Sequence, residues 1–129
     1  MSNYLAILVA AVAAFAWGAA YYMTLSKQWL AALGKAEPSR SALPFVLSFV
    51  ALIVMGWVLA GVMGHLGAGQ VTLKNGVISG LFVWVGFVLT TVVVNNAYAG
   101  RKWMLSAIDS VHWLGVLLIQ GAVIGAMGV

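Results

Sequence analysis

Residues 103–128 read WMLSAIDSVHWLGVLLIQGAVIGAMG. This apolar run carries one carboxylate (Asp109), one imidazole (His112) and one amide (Gln120). A helix rises ~1.5 Å per residue, so the run is long enough for a hydrocarbon core of ~30 Å. It predicts a transmembrane helix. Three further runs of the same kind lie at about 4–25, 43–66 and 75–98. No period-two alternation is present, which argues against membrane strands. The fold class expected is an all-α membrane protein, 1–129 forming one domain of four transmembrane helices in an antiparallel bundle.

Composition agrees. Of 129 residues, 64% are hydrophobic and 6% charged, with a mean hydropathy of +1.10. A soluble domain is nearer 45–50% apolar and ~25% charged, so the bilayer is the solvent. With no cysteine, disulfides, thiol catalysis and iron–sulfur clusters are excluded. Two acidic residues and two histidines are too few for a metal cage. Neither a metal nor a cofactor is expected. His65 and His112 are not arranged as paired haem ligands. His65, among glycines at a helix end, reads as a solvated loop residue.

The net charge of +4 reflects topology rather than nucleic acid, because the cations sit in short connections. Lys27, Lys35 and Arg40 lie in connection 26–42, and Arg101 and Lys102 in connection 99–102. Lys74 lies on the opposite side with both termini. The positive-inside rule places the cation-rich side in the cytoplasm and both termini on the periplasmic or outer face. The expected location is a bacterial inner membrane. The N-terminus lacks the basic region of a secretory signal. Pro38 falls in the first connection and Pro44 at the start of the second span, where helices tolerate it. Residues 27–33 form either one or two interfacial turns or an irregular loop anchored by Trp29. Gly100 is a candidate helix stop. Tyr22, Trp29, Tyr98 and Trp103 mark a cytoplasmic aromatic belt, and Tyr4 the other face.

Small residues recur at helical spacing and predict close helix packing. They are Gly56, Ala60 and Gly64 on the second span, Gly121 and Gly125 on the fourth, Gly76 and Gly80 on the third, and Ala6, Ala10, Ala14 and Gly18 on the first. Their number also suits self-association. The expected partners are membrane lipids and either further copies of the chain or a larger membrane complex. Trp57, Trp84 and Trp113 are expected to fill the core.

Polar groups within a span are costly and so are candidate functional residues. Ser106, Asp109 and His112 are spaced three apart on one face. Asp109 lies ~9 Å beyond Trp103, and His112 ~13 Å. They form either a proton-responsive pair or structural ties. For Asp109 the ties would run to Ser106, a nearby tyrosine or tryptophan, or the Arg101 region. Of Asn95 and Asn96, one would tie helices and the other cap the helix end. Trp17, Tyr21 and Tyr22 form either the wall of a lipid or small-molecule pocket or an interfacial belt. Together, Asp109, His112, Ser106, Asn95, Asn96, Tyr21, Tyr22, Trp17 and Arg101 would converge at the cytoplasmic end. Gln120 would make a single interhelical bond.

Several blocks match one family. They are residues 3–11 (NYLAILVAA), Trp17-Gly18-Ala19-Ala20-Tyr21-Tyr22, Lys27-Gln28-Trp29, residues 80–87 (GLFVWVGF), Asn95, Gly100-Arg101-Lys102-Trp103 and His112-Trp113-Leu114. On these the chain resembles the bacterial integral membrane proteins of domain-of-unknown-function family 1761. Members often carry a proline after the aromatic pair, where this chain has Met23-Thr24. The resemblance implies a bacterial four-helix membrane protein and no particular activity.

Three functions are weighed. The first is a non-enzymatic homo-oligomer or accessory subunit of a membrane complex, because short loops leave contacts to be made inside the bilayer. The alternative is a small proton-coupled transporter or channel using Asp109 and His112. Small multidrug transporters have similar length but depend on a glutamate in their first helix, which has no acidic residue here. The third is an intramembrane lipid- or quinone-directed enzyme, for which the convergent acid–base groups are few and no catalytic residue is assigned.

Overall fold

A computed structural model describes residues 3–35 and 41–129; Glu37, Pro38 and Arg40 lie outside them. Among the described residues six α-helices follow in order: α1 (Tyr4–Thr24), α2 (Ser26–Leu33), α3 (Leu43–Gly64), α4 (Leu73–Val83), α5 (Thr90–Tyr98) and α6 (Trp103–Met127). A π-helical segment, Trp84–Leu89, joins α4 to α5. Four helical stretches are therefore long and apolar enough to cross a membrane: α1, α3, the continuous Leu73–Tyr98 stretch and α6.

Local chemistry sets the boundaries. The Asn3 side chain accepts from the Ala6 N–H at the start of α1 (3.1 Å), and Thr72 Oγ1 accepts from the Asn75 N–H at the start of α4 (3.1 Å). Pro44 sits in the first turn of α3. Gly34 ends α2 at φ 83°, and Gly100 follows α5 at φ 67°, conformations that favour glycine. Residues 27–33 are thus helical rather than irregular. Asn3 Nδ2 also donates to the Met127 carbonyl (3.2 Å), so both ends of the helical chain lie at the same end of the bundle.

Nothing in the sequence signals the π segment. Its run WVGFVL is apolar throughout, so it contains no polar–apolar period whose break would mark the wider turn. Thr90 and Thr91 donate their hydroxyls back to the Gly86 and Phe87 carbonyls there. Beside it, Met55, Phe87, Val88, Thr91, Val92 and Trp113 line an apolar groove of about 230 Å³.

α6 is the hub. Of the four spans it is the most buried, at 44%, against 11% for Leu73–Tyr98. Its approach to α4 is backbone to backbone. A methyl built on Gly76 would stand 1.9 Å from the Gly121 carbonyl oxygen, and one on Gly121 would stand 2.0 Å from that of Gly76. Gly80 faces the Leu117 carbonyl and Gly125 that of Thr72 in the same way. Such contact maximises dispersion and admits Cα–H···O contacts, the attractions available where lipid removes a hydrophobic drive between helices.

The first span presents Ala6, Ala10 and Ala14 to the core. Around them, Ile7, Leu59, Met63, Leu117 and Ile124 make one apolar cluster, and Leu52 and Val116 anchor a second. Gly56 and Ala60 are buried at the junction of α1, α3 and α6, where the fully buried Gln120 donates to the Leu52 carbonyl (2.8 Å).

Two expectations are corrected. Gly64 does not serve packing within the bundle: it is exposed, and a methyl there would meet nothing within 4 Å. Trp57 is 56% exposed rather than in the core. Its ring turns outward although Ala60, one turn on, is buried, and lipid accepts an indole about as readily as a protein interior does. The glycines of α4 and α6 are occupied inside the bundle.

Candidate functional site

The polar residues of α6 meet side chains of α1, α2 and α5 near the α6 N-terminus. Ile108 exposes its carbonyl to the Tyr21 hydroxyl, which donates to it at 2.7 Å. Tyr22 donates its hydroxyl to Asp109 Oδ1 at 2.6 Å. Trp17 donates its indole N–H to the His112 carbonyl (2.9 Å), and Trp84 donates to the Ser110 carbonyl (2.7 Å). These four aromatic donors fix the rotation and depth of α6 against α1 and the third span. Each such bond inside a membrane contributes roughly 0.6–1.7 kcal/mol.

Shape reinforces the bonds. Trp17 lies over Gly115, where an added methyl would stand 2.2 Å from its ring. One turn away the fit is reversed: His112 of α6 lies over Gly18 of α1, with a methyl there 2.8 Å from Nε2. The pair Trp17-Gly18 on α1 and the pair His112/Gly115 on α6 are reciprocal knobs and sockets.

Rings continue the cluster. His112 packs on Tyr22 (centroids 4.8 Å apart), Tyr21 (6.0 Å) and Trp113 (4.6 Å). Trp29 of α2 stands edge-on to Tyr22 (5.6 Å), and its side chain also reaches Asp109. α2 is held by Ala32, buried with Leu105 and Ile108, and by Lys102 Nζ at 3.5 Å from the Ala31 carbonyl. Tyr22 and Trp29, expected in an outward aromatic belt, thus turn inward, whereas Tyr98 and Trp103 are 91% and 75% exposed.

The remaining candidates divide. Asn96 donates to Ser106 Oγ (3.1 Å), tying the end of α5 to the start of α6. Asn95, assigned to the site from sequence, is exposed beside it, and its part in the helix end is its main-chain carbonyl, which accepts from the Ala99 N–H (3.0 Å). The two are adjacent and 100° apart on a helix, and only packing decides which faces α6. Arg101 is exposed and makes no ion pair with Asp109. Asp109 and His112 share a face but are not bonded: the carboxylate partners Tyr22, and His112 Nδ1 is buried without a partner. Sequence reasoning missed Trp84 and Gly115 as members of this assembly; a tryptophan and a glycine in apolar runs carry no signal of their mates. Among the described residues no three His, Cys, Asp or Glu side chains gather as a metal site.

Losing the Tyr22 hydroxyl tests the central bond. Tyr22→Phe keeps the ring stack but leaves Asp109 one donor short. We expect a loss of about 1–3 kcal/mol, read as an earlier midpoint in denaturation by sodium dodecyl sulfate. An unchanged midpoint would show that this bond contributes nothing.

Residues 5–125 match the family model described as "Protein of unknown function (DUF1761)". The chain belongs to this family. No curated protein and no solved structure matches it. For this DUF1761 protein the tertiary contacts are therefore the principal guide to function.

Proposed function

We propose that this four-helix membrane protein is a non-enzymatic structural subunit of a bacterial cytoplasmic membrane, with both termini on the outer face. In this reading it works as a homo-oligomer or beside a partner within the bilayer. The observation carrying it is that five side chains of the other spans tie themselves to α6: Tyr22 to the Asp109 carboxyl, Asn96 to the Ser106 hydroxyl, and Tyr21, Trp17 and Trp84 to main-chain carbonyls. Between His112 and Gln120, α6 offers only Trp113, Leu114, Gly115, Val116, Leu117, Leu118 and Ile119, which supports a packed core over a polar path. Asp109 and His112 lack the direct bond that a proton-coupling pair would use, so the transport reading is the weaker one.

Assembly would use the third span. It is the least buried, at 11%, and shows Phe82 (73% exposed) and Phe87 (74%) outward. Native mass spectrometry of the protein released from its own membrane in mild detergent tests this. A fixed stoichiometry above one is expected, reduced to single chains by Phe82→Ala together with Phe87→Ala while the fold is kept. A monomeric wild type with no bound protein would overturn the proposal.

A further inference from the structure

The Tyr22–Asp109 contact gives the carboxyl group no counter-charge. Asp109 lies inside a membrane-spanning helix, and its contacts, Tyr22 and Trp29, are neutral donors. No described lysine or arginine pairs with it. Arg101 and Lys102 are exposed at the start of α6, Lys102 Nζ is engaged with the Ala31 carbonyl, and Lys27 is exposed on α2. A carboxylate withdrawn from water is costly without a counter-charge, and such groups in membranes are normally paired.

A second, independent feature lies one turn deeper. His112 is 8% exposed, and its Nδ1 has no hydrogen-bond partner. Its ring packs on Tyr22, the residue bonded to Asp109. A carboxyl group, a buried imidazole nitrogen and the rings of Tyr21, Tyr22 and Trp29 therefore lie in one contiguous cluster. That combination recognises an alkylammonium: the carboxylate balances its charge, the imidazole nitrogen accepts an N–H, and the rings attract a cation. Depth selects the rest of the ligand. Asp109 is ~9 Å beyond the first residue of α6, so the site lies below the head-group plane, where a hydrated ion is penalised and an apolar tail is favoured.

We propose that Tyr22, Asp109 and His112 form a binding site for the ammonium head of a lipophilic amine that enters from the lipid. The site and the oligomer are independent, because the ammonium contacts belong to one chain.

The test is calorimetric titration of the full chain in detergent with 4-phenylbutylammonium and with 4-phenylbutanol, its neutral counterpart, against empty micelles. Saturable binding of one amine per chain is expected, at least about tenfold tighter than the alcohol, which corresponds to about 1.4 kcal/mol. Asp109→Asn is expected to remove that tenfold preference, and Tyr22→Phe, which keeps the carboxylate, to retain it. Equal binding of amine and alcohol to the wild type overturns the proposal without recourse to any variant. So does an absence of saturable amine binding. An infrared carboxylic-acid band, lost in Asp109→Asn yet persisting in wild type at saturating amine, would overturn it as well by showing that a proton supplies the balance.

Discussion

Gly121→Ala is expected to be among the most damaging single methyls that can be added to this protein. The new carbon would stand 2.0 Å from the Gly76 carbonyl oxygen and 2.7 Å from its carbonyl carbon. Neither atom can rotate away, because both belong to the backbone of α4. The helices must separate, and separation also loosens the Gly80–Leu117 and Gly125–Thr72 contacts along the same seam. Alanine recovers up to ~1 kcal/mol of helix propensity. Overpacking against backbone costs on the order of 3 kcal/mol, so the net change is a loss of about 2 kcal/mol or more. Gly61→Ala is the matched control, since a methyl there meets nothing within 4 Å; it should be neutral or slightly stabilising. Both are read from detergent-denaturation midpoints followed by circular dichroism. Equal midpoints for the two variants would mean that α4 and α6 do not approach as closely as described.

The second large effect is at the Trp17–Gly115 socket. In Gly115→Ala the methyl would lie 2.2–2.4 Å from the indole ring. Trp17 must then leave its slot and give up its bond to the His112 carbonyl. A cost of roughly 2–3 kcal/mol is expected from the clash and the lost bond together. The diagnostic is non-additivity. With Trp17→Leu already in place, the methyl finds room, and Gly115→Ala should cost about 1–3 kcal/mol less than it does alone. Strict additivity in this double-mutant cycle would show that the two residues do not share the site.

Much of the candidate site was legible, but unevenly. Ser106, Asp109 and His112 stand out because any polar group in an apolar run has to be accounted for. Tyr21 and Tyr22 stand out because they lie at a span end. What periodicity could not say is which of these groups bond to one another. The carboxylate takes Tyr22 rather than His112, and Asn96 rather than Asn95 reaches Ser106. Each choice depends on the rotation of a helix by a fraction of a turn. In water such rotation is encoded by an apolar stripe facing inward. Here both sides of every span are apolar, so the encoding is absent. The outward setting of Trp57 and Gly64 and the π turn at Trp84–Leu89 leave no mark in the sequence for the same reason.

Hydropathy, length and the place of a glycine by themselves determined that the chain is all-helical, where its four spans run and where Gly100 stops a helix. These follow from one-body costs, because a backbone in hydrocarbon must satisfy its own hydrogen bonds and each residue's transfer free energy depends little on its neighbours. The tertiary structure alone decided that α6 is the hub, that Gly76 meets Gly121, that Trp17 and His112 occupy reciprocal glycine sockets, and that α2 folds Trp29 onto the Tyr22–Asp109 pair. These are pairwise matters of shape and direction, set where two helices touch.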